Sequence, residues 1–71
     1  MVKEVESGEE ATRIAEAFLK KRRYFPRPIK AMREKDNWLV ELDVGLLDTK
    51  IARMKIDAQS GKIIEYDISP N

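Results

Sequence analysis

The stretch ARMKIDAQSGKIIEYDI, residues 52–68, decides the fold because it predicts a β-hairpin with a single register. A three-residue loop of Gln59, Ser60 and Gly61 would place Gly61 where such a loop needs a left-handed residue. Apolar side chains would then face each other on one side and opposite charges on the other, so a slip of one residue would destroy both agreements. The predicted pairs are Ala52 with Ile68, Met54 with Tyr66 and Ile56 with Ile64 on the apolar face, and Arg53 with Asp67 and Lys55 with Glu65 on the charged face.

Another hairpin is predicted immediately before this one. Residues 38–44 alternate between apolar and mostly polar side chains, which is the period of a half-buried strand. Asp36 and Asn37 suit a two-residue turn, since both residue types tolerate positive φ. This turn predicts the cross-strand pairs Lys35 with Trp38, Ala31 with Leu42, Ile29 with Val44 and Lys30 with Asp43.

An N-terminal helix is predicted for about residues 7–23. Ser7 and Glu10 form a capping box, in which the Ser7 hydroxyl accepts from the Glu10 amide and the Glu10 carboxylate accepts from the Ser7 amide. Pro26 and Pro28 end the helix, because each disfavours the α conformation in the residue before it. The apolar side chains at helical spacing are Ala11, Ile14, Ala15, Phe18 and Leu19.

These elements predict an α+β fold in which one N-terminal helix packs on a four-stranded antiparallel β-meander. The alternative concerns residues 46–55, which also show helical spacing at Leu47, Ile51 and Met54. The predicted strands span about residues 28–35, 38–44, 50–58 and 62–68 of a single 71-residue domain. The predicted core consists of Ile14, Phe18, Trp38, Val40, Leu42, Met54, Ile56, Ile64 and Tyr66.

The pattern of elements resembles the PepSY domain. The likeness is carried by the capped amphipathic helix, by Trp38-Leu39-Val40, and by the run from Ile56 to Ile63 with its Asp57, Ser60 and Gly61. It covers about residues 7–68. The resemblance implies a small helix-plus-antiparallel-sheet fold, and it implies a role in binding or inhibiting a peptidase.

The composition excludes several kinds of catalytic and metal site. The chain has no cysteine and no histidine, which excludes zinc and copper sites built on those ligands, cysteine nucleophiles and Ser-His-Asp triads. The acidic residues have local structural partners: Asp43 and Glu65 face cations in the predicted registers, and Asp57 begins a turn. We therefore expect no enzymatic activity, no cofactor and no metal.

Charge and hydropathy give two broader expectations. Charged residues make up 38% of the chain, and asparagine and glutamine together number only three, a composition typical of hyperthermophile proteins, which predicts a thermostable domain. The sequence has no apolar leader and no apolar run of membrane-spanning length. We therefore expect a cytoplasmic location and no membrane partner.

The segment of residues 20–35 concentrates positive charge. It contains eight basic residues and one acidic residue in a chain whose net charge is +1, so nucleic-acid binding is one hypothesis. The competing interpretation is that cations at a helix C-terminus stabilise the helix itself and that the two aromatic residues close the end of the core. The candidate nucleic-acid contacts are Lys20, Lys21, Arg22, Arg23, Tyr24, Phe25, Arg27 and Lys30.

Binding of a protein or peptide is the function that the sequence favours. Leu39, Ile51 and Ile63 fall on the outer face of the predicted sheet among charged residues and form a candidate partner patch. A free edge strand is the other candidate surface. We expect a monomer or a weak homodimer.

Overall fold

One helix is followed by four strands that pair in chain order. The structure, a computed structural model, describes residues 4–70. Helix α1 spans Gly8–Lys21, and the strands are β1 (Arg27–Glu34), β2 (Asn37–Asp43), β3 (Lys50–Asp57) and β4 (Ile63–Pro70). The strands form one antiparallel sheet in the order β1-β2-β3-β4. The predicted α+β fold is confirmed.

Helix α1 begins at its capping residue and ends before the prolines. Ser7 Oγ accepts a hydrogen bond from the Glu10 amide at 3.2 Å, as predicted. The Glu10 carboxylate accepts from the Glu6 amide at 2.9 Å, one residue earlier than the capping box predicts.

The C-terminus of the helix is a Schellman motif. Arg23 is left-handed, with φ of 69°. Its amide donates to Lys20 O at 3.0 Å, and the Tyr24 amide donates to Leu19 O at 3.1 Å, which is the bonding pattern of that motif. The helix therefore ends at Lys21, two residues before the predicted boundary, because Arg23 reverses the chain before Pro26 is reached.

The register predicted for the second hairpin is confirmed over four pairs. Ala52 to Lys55 face Ile68 to Glu65 as expected, and Gly61 has φ of 77°. The pair of Ile56 with Ile64 is wrong, since a β-bulge leaves Ile56 opposite Ile63. The alternative helix over residues 46–55 is also wrong, because β3 begins at Lys50.

The register predicted for the first hairpin is wrong by two residues. Glu34 pairs with Asn37, so the turn consists of Lys35, with φ of 55°, and Asp36. A shift of two keeps every side chain on its own face, so alternation alone could not detect it. Asn37 is held inside β2 because it pairs with Asp57 of β3. The four predicted pairs are replaced by Arg33 with Trp38, Ala31 with Val40, Lys30 with Glu41 and Arg27 with Asp43, with a bulge between Pro28 and Lys30.

The core lies between α1 and the inner face of the sheet. The helix contributes two alanines and Leu19, and it packs mainly against β1 and β2. The Trp38 indole is buried and its Nε1 donates to Val5 O at 3.0 Å. The buried core residues are Val5, Ala11, Ala15, Leu19, Trp38, Val40, Leu42, Val44, Ala52, Met54, Ile56 and Ala58.

Four residues of the predicted core are less buried than expected. Ile14 and Phe18 are only partly buried against the core. Ile64 and Tyr66 of β4 are 53% and 41% exposed. The physical reason is the position of the helix, which lies over β1 and β2 and leaves the inner face of β4 largely uncovered.

Candidate binding surfaces

Strand β4 is an open edge of the sheet. It is the last strand in the order. Within residues 4–70, no other strand pairs with the edge of β4 that points away from β3, here called its outer side. In an antiparallel ladder every second residue of an edge strand directs its N–H and C=O away from its partner. Strand β4 therefore offers a row of backbone donors and acceptors to another extended chain.

Strand β1, at the opposite edge, is less suited to pairing. Pro28 has no amide hydrogen, and the bulge between Pro28 and Lys30 interrupts the regular spacing of the strand. Both features oppose the addition of a further strand at this end of β1. The two edges of the sheet are therefore not equivalent.

The inner face of β4 is apolar and partly open. The ring centroids of Tyr66 and Phe18 are 4.9 Å apart in an edge-to-face arrangement. The Arg22 guanidinium lies 3.7 Å from the Phe18 ring centroid and 5.9 Å from that of Tyr66. Ile64 adds a second exposed apolar side chain to the same strand. A peptide at this edge would find apolar side chains beside its backbone partners.

The outer face of the sheet carries rows of alternating charge. Glu41 and Arg53 approach to 3.4 Å, and Lys55 and Glu65 approach to 3.7 Å. Arg53 was expected to face Asp67, and the two are in register. Its guanidinium, however, contacts Glu41 and the Ser69 hydroxyl, the latter at 3.2 Å. Asp67 has no ion pair within the described part of the chain.

The predicted patch of Leu39, Ile51 and Ile63 is not one surface. Leu39 and Ile51 are partly buried on the outer face, and the pair formed by Glu41 and Arg53 lies between them. Ile63 packs against the core because the bulge places it opposite Ile56. The apolar neighbour of Leu39 is an exposed methionine of β1, Met32. Sequence reasoning missed this contact because it depends on the register of the first hairpin.

The basic segment is dispersed over several surfaces. Arg22 stacks on Phe18, and Tyr24 packs against the core. Arg27 lies 3.3 Å from Asp43 and donates to Gly45 O. The other candidates are exposed: Lys20 and Lys21 on the last helical turn, Arg23 and Phe25 after it, and Lys30 opposite Glu41 on the sheet.

A second surface, here called the loop surface, forms where the α1–β1 and β2–β3 connections meet. It surrounds a depression of about 390 Å³. Phe25 is 68% exposed and Leu47 is 98% exposed. The sequence analysis did not predict that Leu46 and Leu47 form part of a surface, although Gly45 and Asp48 on either side of them are a turn signal. The lining residues are Arg23, Tyr24, Phe25, Val44, Gly45, Leu46, Leu47, Asp48 and Lys50.

Two aspartates shape the loops at the ends of β3. Asp43 Oδ1 accepts from the Gly45 amide at 2.9 Å and from the Lys50 amide at 3.3 Å. These bonds, with the Arg27 guanidinium, lower the pKa of Asp43 below its ordinary value. Asp57 accepts from the Ser60 hydroxyl at 2.6 Å, which lowers the pKa of Asp57. The predicted turn role of Asp57 is confirmed, since it also accepts from the Gln59 amide at 3.4 Å.

Comparison of the chain with protein-family models, with curated proteins and with solved structures finds no match. In the part of the chain that the structure describes, no helix is long and apolar enough to cross a membrane. Over the same residues, acidic side chains do not gather in groups of three that could hold a metal ion.

Proposed function

We propose that this chain is a non-enzymatic binding module that receives an extended segment of a protein or peptide along β4. The observation that carries the proposal is the open outer side of β4 beside the half-exposed Tyr66 ring. Backbone hydrogen bonds supply affinity when a strand adds to a sheet edge, and contacts with alternate side chains supply specificity. Strand β4 provides both kinds of contact in one place.

The charges on β4 favour a monomer over a homodimer paired through this strand. Glu65 and Asp67 lie at the outer face of the edge. If two copies paired β4 with β4 in the antiparallel register centred on Tyr66, Glu65 of each copy would lie opposite Asp67 of the other, and like charges directly opposite each other are destabilising. The charges therefore favour pairing of this edge with a different chain.

Three sequence predictions belong to this proposal. The resemblance to the PepSY domain, the cytoplasmic location and the thermostability stay predictions. A peptidase as the bound protein would agree with the resemblance. Thermal unfolding above about 90 °C would agree with the composition.

Peptide titration followed by NMR tests the proposed function. Eight-residue peptides with alternating polar and apolar side chains, in basic, neutral and acidic versions, are added to the ¹⁵N-labelled chain. We expect shifts confined to β4 and its neighbours, with slower hydrogen exchange at outward-facing β4 amides. Shifts elsewhere, or none at millimolar peptide, would refute the proposal.

The peptide also supplies a matched control. One version is N-methylated at the amides of its odd-numbered residues, and the other version at the amides of its even-numbered residues. A strand that adds to an edge uses one of these two sets of donors. One version should therefore lose binding while the other retains most of it. Equal binding of both versions would mean that the contact is not strand pairing.

A second candidate function is binding of single-stranded nucleic acid at the loop surface. It is favoured by the exposed Phe25 ring, which lines the same depression as Arg23 and Lys50, because exposed aromatic rings beside cations stack on unpaired bases. Lys20 and Lys21 lie on the neighbouring helical turn.

Oligonucleotide binding tests the second candidate. A Lys20→Gln, Lys21→Gln variant should weaken binding at ~150 mM salt, whereas a Lys35→Gln, Lys62→Gln control of equal charge should not. If the intact chain binds single strands no more tightly than micromolar at that salt, the second candidate is excluded.

A further inference from the structure

Charge alternates in a row that crosses the whole sheet. Lys30 pairs with Glu41, Glu41 pairs with Arg53, and Arg53 pairs with Asp67. The four side chains occupy successive strands on the outer face with the signs plus, minus, plus and minus. The row ends at the open edge in a negative charge.

The neighbouring row ends in the same way. Lys55 pairs with Glu65 at 3.7 Å, and the Glu65 side chain remains 66% exposed. Glu65 and Asp67 therefore present two carboxylates, two residues apart, on the outer face of β4. Tyr66 lies between them in the sequence and on the opposite face.

We infer that the segment received by β4 carries a basic–apolar–basic triplet. This inference rests on the proposed function and names the partner's chemistry. A fifth strand that continues both rows places cations opposite Glu65 and Asp67, and it places an apolar residue beside Tyr66. The triplet is symmetric, so it fits a parallel or an antiparallel strand.

The chain already contains one such triplet, and it already pairs with β4. In β3, Arg53-Met54-Lys55 pairs in that order with Asp67, Tyr66 and Glu65, along the edge of β4 that is bonded to β3. A segment of the same pattern on the outer side would flank these three residues symmetrically. The sequence of β3 is therefore the natural probe for the open edge.

Three peptides test the inference. The first has the sequence of β3, Lys-Ile-Ala-Arg-Met-Lys-Ile-Asp, with blocked ends. The second and third replace the Arg and the second Lys, the two basic residues of the triplet, by glutamine or by glutamate. Each is titrated into the ¹⁵N-labelled full chain at ~150 mM salt, and the Kd is read from the β4 amides. We expect the basic triplet to bind about tenfold more tightly than the acidic triplet, which corresponds to about 1.4 kcal/mol.

A pair of variants assigns the preference to the edge carboxylates. Glu65→Gln with Asp67→Asn should reduce the difference between peptides to about twofold or less, an expectation that follows from removing both charges. The control, Glu34→Gln with Asp48→Asn, removes the same charge from exposed sites outside β4 and should keep the tenfold preference. The amide spectrum of each variant reports whether the fold is retained.

The outcomes separate the two claims. Equal binding of all three peptides at β4 would overturn the inference and leave the proposed function standing. A preference that persists in the Glu65→Gln, Asp67→Asn variant would also overturn it. Absence of β4 shifts with every peptide would refute the proposed function itself.

Discussion

Replacing Arg23 by glycine should stabilise this protein. Arg23 is left-handed and exposed, and its role in the Schellman motif is carried by backbone bonds alone. A left-handed conformation costs an L-residue about 1–2 kcal/mol. Glycine avoids that cost but loses about 0.4–1 kcal/mol through the greater entropy of the unfolded chain. The difference between the midpoints of these two ranges is a net gain of about 0.8 kcal/mol.

Urea and thermal unfolding measure this gain. For a domain of this size, about 0.8 kcal/mol raises Tm by roughly 3–6 °C. The matched control is Arg13→Gly, which makes the same chemical change at an exposed position in the middle of α1. There glycine should cost close to 1 kcal/mol, since the backbone is helical.

The opposite signs of the two variants are the test. If Arg23→Gly lowers the unfolding midpoint as Arg13→Gly does, the helix does not end in the left-handed turn described. Arg23→Gly also removes a cation from the loop surface, so the same protein can be assayed with oligonucleotides. A more stable variant with weaker binding would separate the structural role of this position from its role in binding.

Other perturbations give further expected outcomes. Asp43 and Asp57 have lowered native pKa values, so their stabilisation is present above the unfolded value of about 3.9 and is lost as pH falls through the native values. The stability difference between the native chain and Asp43→Asn, measured by urea unfolding, should therefore be largest above about pH 4 and shrink progressively as the pH is lowered below that value. Gly45→Ala would make its Cβ clash with the backbone oxygen of Asp48 in the β2–β3 loop, and it should cost about 1–3 kcal/mol in the same assay. If four cations around the loop surface contact phosphates, binding of single strands should fall with a log–log salt slope of about −3.

The sequence predicted the second hairpin well because two independent patterns agreed there. Apolar residues faced apolar residues, charges faced opposite charges, and Gly61 fixed the loop. The bulge that displaces Ile64 was not predicted, because adjacent isoleucines fit the apolar face in either register. The same bulge moved Ile63 out of the predicted patch.

The sequence of the first hairpin does not determine its register. A shift of two residues preserves the face of every side chain. The choice between a turn at Lys35-Asp36 and a turn at Asp36-Asn37 therefore depends on tertiary contacts. The Ala58 amide donates to Asp36 O at 2.8 Å, and Asn37 pairs with Asp57. Both contacts come from the other hairpin, so local pattern could not reveal them.

The sequence predicted part of the candidate site at the β4 edge. The meander order implied that β4 is an edge, and the acids at residues 65 and 67 were identified as partners of β3. Their availability to a second strand depends on where Arg53 points, and its guanidinium lies at Glu41 and Ser69. The exposure of Tyr66 depends on where the helix lies across the sheet. Neither fact follows from periodicity.

The two carboxylates of β4 give one edge two properties that are usually in conflict. An open edge strand with an exposed aromatic residue is a site for unwanted self-pairing, and charged side chains at such an edge oppose it. Here the charges have one sign and alternate with Tyr66, so they repel a second copy of β4. The same charges attract a strand whose cations lie two residues apart. Protection against self-association and selection of a basic partner are therefore consequences of the same two residues, and removing them should weaken both together.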